Sequence, residues 1–525
     1  MSLPVGQPQS RFDASARAPS LLRSSPIAII IAIMVANAVQ FADPDLWGHI
    51  AFGRAVLNSW RLPLTDPYSY SAPNHLWLNH EWLTEVLMAL CYNGFGVVGL
   101  KLFKLACAAI TIIFLAIAES ETGAPQIVQL ATLLWVAVAI SLQVQFRPQL
   151  FTFAMLSAML ALLARHNYRG RAPLWLAIPI VALWSNLHGG FIIGLAVLGT
   201  YTVAIGLRSL RAGSGWKEIS RFAMLTVGAT AATLATPYGI GTWRAVAHAL
   251  QNPVTRHVVT DWRPLGAILI EQWHTYKPGV LVYLPALALP AMLAISLARR
   301  PHWDDLPLLL IAALMVFATL VATRNLALAV IASSIPLTYH ARLALAARVT
   351  TPGKEPEPRA VRLNPLFGGL AGITLIAFSG ELSGNLQPTA RTIPAAAVTF
   401  IKEHHLSGNI LCDFNWGEYL IWHLEPESKV FIDGRYDTVY PDRVIHDYLD
   451  FYFAHPRAAV VLHDYPHGYV LIPPISTAFR FMEGRNDWKL MYRDPVAALF
   501  ARSDSEAAKP PPTTVTGDTA PNRFP

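Results

Sequence analysis

Charge is scarce in this sequence. Only 14% of its 525 residues are Asp, Glu, Lys or Arg, against about 25% in soluble domains. That is too little to coat a surface of this length, which argues against an ordinary soluble enzyme. Cysteine is scarcer still. Cys91, Cys107 and Cys412 cannot build a disulfide framework, and no Cys-X-X-Cys metal spacing occurs. Intrinsic disorder is excluded by the opposite abundance, since 54% of residues are hydrophobic. The excess of 40 basic over 33 acidic residues gives a net charge of +7. So modest an excess fits nucleic acid, an anionic membrane face or neither, and the placement of the basic residues decides.

What is present in quantity is apolar sequence in long runs. They fall near 26–42, 97–118, 126–144, 149–164, 173–187, 190–207, 222–236, 279–298, 305–323, 325–341 and 364–380. Each approaches the roughly 17–25 residues that a spanning helix needs. The chain therefore reads as a polytopic α-helical membrane protein of about eleven spans. Ala36-Asn37-Ala38 has the small-residue pattern of a signal-peptidase site. The apolar run continues to Phe41, however, which favours an uncleaved anchor.

Basic residues give the orientation. Arg11, Arg17 and Arg23 precede the first run, and alternate loops carry Arg165, Arg169 and Arg171, then Arg208, Arg211, Lys217 and Arg221. Arg299 and Arg300, then Arg342, Arg348, Lys354, Arg359 and Arg362, continue the alternation. With the N-terminus inside, all fall on the cytoplasmic side, as the positive-inside rule requires. The net charge is thus a topology signal, and no nucleic-acid partner is expected. The expected parts are a cytoplasmic tail at 1–25, a membrane domain at 26–380 with outer loops at 43–96 and 237–278, an extracytoplasmic α/β domain at 381–505 and a disordered tail at 506–525.

The unusual polar residues gather at the outer ends of the runs. Asp43-Pro-Asp45-Leu-Trp47-Gly-His49 follows the first run, and Asn79-His80-Glu81-Trp82 closes the same loop. Arg147-Pro-Gln149, Asn186-Leu-His188-Gly-Gly190, Thr236-Pro-Tyr-Gly239 and Arg324-Asn325 lie at later outer turns. Singly, each has a plain explanation. An arginine can snorkel to headgroups, His188 can pack helices, and Asp43-Pro44 can form a turn. Together they indicate a shared outer-face site, because ionisable groups at membrane depth normally line a cavity. Carboxylates beside histidines supply a general base, and arginines fork onto phosphate. A donor linked through a lipid phosphate and a hydroxyl acceptor would use this mixture. Trp47, Trp77, Trp82 and Trp184 are expected in the headgroup belt by default, with stacking on sugar faces as the alternative.

These stretches resemble the GT-C superfamily of polytopic membrane glycosyltransferases, and most closely a widespread bacterial set of that type. The resemblance rests on Asp43-Pro-Asp-Leu-Trp-Gly-His49, Asp66-Pro-Tyr-Ser-Tyr70, Asn79-His-Glu-Trp82, Arg147-Pro-Gln149, Asn186-Leu-His-Gly-Gly190 and Phe431-Ile-Asp-Gly-Arg-Tyr-Asp437. It implies a base or acceptor-positioning role for an acidic residue of the first outer loop, here Asp43 or Asp45. Many GT-C enzymes carry Asp-Glu there, whereas this chain has Asp-Pro-Asp, so the choice stays open.

The C-terminal part alternates differently. Strands are expected at Asn409–Asp413, Lys429–Asp433 and Tyr469–Ile472, helices at Gly417–Leu424, Pro441–Phe453 and Ser476–Met482, and a hairpin over Trp488–Ala501. Loops after the strands carry Asp413, Asn415, Asp433 and Arg435, where ligands of open α/β sheets bind. The plainer reading makes Asp433-Gly434 a turn and Arg435–Asp437 a structural ion pair.

The function expected is transfer of a sugar from a polyprenyl-phosphate donor to a glycan, lipid or protein acceptor at the outer face of a bacterial inner membrane. Asp43 or Asp45 is the candidate catalytic base. His49, His80, Glu81, Arg147, His188, Arg324, Asp433 and Arg435 are the candidate substrate-binding residues. No cofactor is assigned. Asp43, Asp45 and His49 offer a divalent metal ligands, at a spacing that is not diagnostic. The alternative is a non-catalytic accessory protein that binds lipid-linked glycan. A transporter fits less well, because transporter sites lie near the midplane. Lys101 and Lys104, read as snorkelling at the outer end of the second span, are the only feature pointing that way.

Overall fold

The computed structural model describes residues 26–38, 40–211, 216–252, 259–299, 301–346, 384, 386–388, 393–504, 513–514 and 524. The chain opens with α1 (Pro26–Ala36), apolar throughout, and a short strand β1 (Phe41–Ala42). Helix α2 (Leu46–Ser59) follows and buries Leu46, Trp47, His49, Ile50 and Phe52. Helix α3 (Trp82–Glu121) runs 40 residues through a kink at Gly96, whose φ of 58° and ψ of −142° only glycine adopts readily. The kink separates the amphipathic stretch expected at Glu81–Tyr92 from the span expected at 97–118.

The helical part continues with α4 (Gln126–Ile140), α5 (Gln149–Arg169), α6 (Ala177–Leu187), α7 (Phe191–Arg211) and α8 (Trp216–Ala232). Two amphipathic helices, α9 (Ile240–Gln251) and α10 (Leu265–Thr275), precede α11 (Leu284–Arg299), α12 (Leu306–Val321) and α13 (Leu326–Ala346). Ten of the expected apolar runs coincide with helices, and 364–380 lies outside the described residues. Five described helices are long and apolar enough to cross a membrane: Trp82–Glu121, Gln149–Arg169, Phe191–Ser209, Lys277–Arg299 and Thr323–Ala346. Gln126–Ile140, Leu174–Leu187 and Leu306–Val321 are shorter apolar helices. The perimeter exposes Ile113, Val138, Val203, Val227 and Phe317. So much apolar surface on a bundle marks a lipid-facing wall, and the protein is a multi-pass membrane protein. The first run is an exception in detail. Its helix stops at Ala36, and Phe41–Ala42 pairs in parallel with β2 (Gln387–Pro388) instead of extending the span.

Lys101 and Lys104 do not snorkel. Both are buried; Lys101 Nζ donates to Gly384 O at 2.6 Å, and Lys104 Nζ lies 4.9 Å from the Phe146 ring centre.

The C-terminal domain contains α14 (Ala395–Glu403), β3 (Ile410–Cys412), α15 (Gly417–Leu424), α16 (Asp442–Tyr452) and α17 (Val460–Asp464). It closes with β4 (Tyr469–Ile472), α18 (Thr477–Glu483), β5 (Trp488–Arg493), β6 (Ala498–Arg502) and β7 (Thr513–Thr514). The sheet order is β3-β4-β6-β5-β7, with β3–β4 parallel and β5–β6 an antiparallel hairpin. Fully apolar β4, buried at all four positions, is the centre of the small core.

One expectation for this part needs correction. Lys429–Asp433 is not a regular strand: Val430 bridges Ile410 on one side and Ser69 on the other. The chain then turns at Asp433, whose carboxylate accepts the Arg435 N–H at 3.0 Å, and the ladder ends. The tail expected to be disordered contributes three described residues. Thr513 and Thr514 pair with Tyr492 and Arg493, and Phe524 is buried 4.8 Å from the Trp47 ring centre.

The bridge at Ser69 matters for the site. Tyr70 N–H donates to Val430 O at 3.1 Å, and Val430 N–H to Tyr68 O at 3.3 Å. The loop after α2 thereby continues the domain's sheet. Helix α15 packs on α2, with Trp47 edge-on to Tyr419 at 5.3 Å. The domain is built onto the end of the helical bundle where the polar motifs lie.

Candidate functional site

A cavity of about 720 Å³ sits between the bundle and the domain. Its lining includes Asp45, His49, His80, Glu81, Arg147, His188, Arg324 and Arg435. These eight residues lie far apart in sequence and come together from α2, the turns before α3, α5 and α13, the α6–α7 turn, and the domain. Asp43 and Asp433 do not line the cavity.

Asp43 is buried and committed. Its Oδ2 lies 2.8 Å from Arg147 Nε, and its Oδ1 accepts the Asp45 N–H at 3.1 Å. Arg147 also reaches Asp45 Oδ2 at 3.4 Å and Asp261 Oδ2 at 3.2 Å, so one guanidinium bridges three carboxylates. Two conformational facts hold Asp45 in place: it is the residue before α2, and its backbone N–H is tied to Asp43. Burial, with the charge of Asp43 beside it, pushes its carboxyl up to about 6, against the pull of Arg147.

His188 occupies the turn between α6 and α7. The Gly190 N–H donates to its Nδ1 at 2.9 Å, so Nδ1 carries no proton. The Thr152 hydroxyl lies 2.7 Å from the same nitrogen, and its oxygen accepts Trp184 Nε1–H at 3.1 Å. The proton is therefore on Nε2, which lies 3.4 Å from Glu81 Oε1. Burial drives this imidazole down to about 3, which keeps it neutral. Glycine at 190 is required by contact, since a Cβ there would collide with Thr152 and His188.

Glu81 is stabilised as a carboxylate. Burial raises its carboxyl, but the charges around it, His80, His49 and Arg324 among them, bring it below its ordinary value. His49 Nδ1 lies 3.5 Å from Glu85 Oε1, while Asn79 Nδ2 donates to Glu85 Oε2 at 2.5 Å. Burial lowers His49, but the Glu85 hydrogen bond and the charges of Glu81, Glu85 and Asp45 outweigh it and raise the imidazole. Ligand atoms of His49, Glu81 and Glu85 all lie within 4.8 Å of one another. That set suits a divalent cation, whereas Asp43 and Asp45 face Arg147.

Arg324 stacks its guanidinium 4.5 Å from the Trp262 ring centre. A side pocket of about 190 Å³ joins Gln143, Gln145, Arg147, Gln149, Asp261 and Arg324. The opposite flank is apolar, formed by Ile192 and Ile193 of α7, Met315 and Ala318 of α12 and Leu328 of α13. Trp47, Trp77 and Trp184, expected in the headgroup belt, are buried instead. Trp82 is partly buried and its Nε1–H donates to Asn186 Oδ1 at 3.3 Å.

Glu418 and Glu85 were not singled out from the sequence. Glu418 is a lone acid in the apolar run Gly417–Leu424, and that oddity was the available signal. It is buried, and its Oε2 has no hydrogen-bond partner among the described residues. A Cβ on Gly48 would strike its carboxylate. A Cβ on Gly434 would sit 2.6 Å from Asp45 Oδ1 and 2.7 Å from Glu418 Oε1. Burial and the charge of Asp45 push Glu418 well above the carboxylate range. The glycines of the Trp-Gly-His and Asp-Gly-Arg motifs thus make room for two neighbouring acids. Gly434→Ala is expected to displace Asp45 from the cavity wall, with the thermal midpoint little changed. Asp45 in its wild-type place in a structure of that variant would show that this close packing does not set the site.

Arg435 is a clamp. Its Nε and Nη2 lie 2.8 and 2.6 Å from the two Asp433 oxygens, and Nη1 lies 2.7 Å from Asp66. Its guanidinium carbon sits 4.9, 5.1 and 4.7 Å from the ring centres of Phe52, Tyr68 and Trp77. Asp433 is fully buried, with Tyr440 donating to Oδ2 at 2.6 Å. The pair therefore ties the domain to α2 and its loop.

No protein-family model matches the chain, and no curated protein matches it in sequence. Solved structures do resemble it. The Archaeoglobus fulgidus oligosaccharyltransferase, tethered with an acceptor peptide containing the NVT sequon, has a TM-score of 0.54 at 13% identity. The alignment covers 86% of this chain and 69% of that one. Archaeal oligosaccharyltransferase AglB from the same organism, in complex with an inhibitory peptide and a dolichol-phosphate, gives 0.50 at 12% identity over 85% and 69%. Arabinofuranosyltransferase AftD from Mycobacteria gives 0.50 at 14%, covering 94% of this chain and 41% of that one. At these identities the likeness is one of fold. The chain shares the fold of these three proteins, which agrees with the GT-C resemblance at the level of architecture alone.

Proposed function

We propose that the protein is a glycosyltransferase that moves a sugar from a polyprenyl-phosphate donor to a hydroxyl acceptor. The observation that carries this reading is the single cavity joining Asp45, Glu81, His188, Arg147 and Arg324 to an apolar flank. The isoprenoid lies along Ile192, Ile193, Met315 and Leu328. The phosphate lies toward Arg147 and Arg324, which offset the charge that develops as it leaves. Asp45, and not Asp43, is the base: it lines the cavity, whereas Asp43 is buried against Arg147. Neutral His188 places Nε2 3.4 Å from Glu81 Oε1 and so lies beside that carboxylate. Catalysis is positioning plus electrostatic stabilisation. A divalent cation, if the reaction uses one, is held by His49, Glu81 and Glu85. The charge pattern favours a C-terminal domain on the extracytoplasmic side, and the motif resemblance a bacterial inner membrane.

The test is consumption of synthetic polyprenyl-phosphate sugars by the purified full-length protein in lipid nanodiscs. Release of the polyprenyl phosphate supports the reading; binding without release sinks it in favour of an accessory protein. A base that titrates near 6 also fixes the pH profile. Protonated Asp45 accepts no proton, so kcat/KM is expected to rise with pH to about 6 and level off above it. A profile flat between pH 4.5 and 7.5 would exclude Asp45 as the base.

A further inference from the structure

The domain side of the cavity has a chemistry that the proposed transfer does not use. The loop after β3 presents Asp413, Phe414 and Asn415, and α16 and its C-cap add Tyr448, Tyr452 and Phe453. The loop and the helix brace each other. The Phe414 N–H donates to Tyr448 Oη at 2.8 Å, and Tyr452 hydrogen-bonds Asp413. Asp413 Oδ1 in turn accepts the Asn415 N–H at 2.9 Å. Tyr448 and Tyr452 stack with centroids 5.7 Å apart and planes 25° apart, and Phe453 packs edge-on to Tyr452 at 5.4 Å. Phe453 is 50% exposed and Asn415 is exposed. The wall thus alternates fixed aromatic rings with amide, carboxylate and phenol groups.

We propose that this wall is the acceptor subsite and that the acceptor is a glycan. The inference rests on the transferase reading above. Sugar C–H bonds carry partial positive charge and pack on the negative faces of aromatic rings, and the polar groups between the rings match sugar hydroxyls. One recurring way for a peptide to bind a sheet-containing domain is to add a strand to the sheet edge. Here that edge is closed, since Val430 covers Ile410 and Ser69 covers Val430. An apolar lipid tail finds its surface across the cavity on α7, α12 and α13 rather than among these polar groups.

The experiment measures binding without donor, by saturation-transfer NMR on the full-length protein in nanodiscs. The probes are tetrasaccharides of α- and β-linked glucose, mannose, galactose and arabinofuranose, with a mixed decapeptide library and diacylglycerol as the other arms. At least one tetrasaccharide is expected to bind. Phe453→Ala and Asn415→Ala, both at exposed positions, are expected to weaken it by roughly tenfold, and Tyr452→Phe, which keeps the ring, to retain it. Binding by no tetrasaccharide, binding of peptide or lipid instead, or affinity unchanged in Phe453→Ala and Asn415→Ala would overturn the proposal. Saturable glycan binding with no donor turnover would leave this subsite standing and remove the transferase reading. Turnover onto a peptide would do the reverse.

Discussion

Asp45→Asn is expected to lower donor turnover by roughly 10²–10⁴-fold, the range for loss of a positioned general base, while donor binding stays near wild type. Asparagine preserves size and the backbone tie to Asp43, so the proton acceptor and the charge 3.4 Å from Arg147 are lost while Asp43 still holds that guanidinium. Asp43→Asn is expected to differ in kind. Removing that charge frees Arg147, which Asp43 holds at 2.8 Å, and weakens donor binding more than the chemical step. Steady-state kinetics with a polyprenyl-phosphate sugar separates the two, as kcat for Asp45 and KM for Asp43. Equal kcat losses in both variants would contradict the division of roles.

Arg435→Ala is expected to be the most destabilising substitution in the domain, by about 3–5 kcal/mol, the cost of removing one partner from a buried ion pair. It would leave Asp433 and Asp66 buried, charged and facing one another's empty partner, and it would remove the cation from three aromatic rings. Lysine does not substitute, because one ammonium cannot meet both carboxylates in the planar arrangement that guanidinium provides. Thermal unfolding followed by fluorescence-detected size exclusion reads the effect. Midpoints within a degree of wild type for both Arg435→Ala and Arg435→Lys would show that the domain is held by other contacts.

Membrane character was legible because apolar runs of 15–22 residues leave little other reading. The convergence of Asp45, Arg147, His188 and Arg324 was legible too, because each sat at the same end of a run. The choice between Asp43 and Asp45 was not, since it depends on which of two residues a distant Arg147 faces. Glu418 escaped notice because its meaning comes from two glycines, Gly48 and Gly434, separated from it in sequence and joined to it only by packing. Asp433 and Arg435 resembled ligand residues because their motif follows an apolar segment. Their partner Asp66, 369 residues before Arg435, turns them into a clamp. The expected strand at Lys429–Asp433 failed for a related reason: its pairing is shared between Ile410 and a loop of the helical part.

The most direct test is a cryo-electron-microscopy map of the full-length protein in nanodiscs with a polyprenyl-phosphate sugar, using Asp45→Asn to hold the donor unreacted. Density for the phosphate is expected between Arg147 and Arg324, with the isoprenoid along Ile192, Met315 and Leu328 and the sugar carbon facing residue 45. Donor density elsewhere on the bundle, with this cavity containing only solvent, would contradict the assignment of the site.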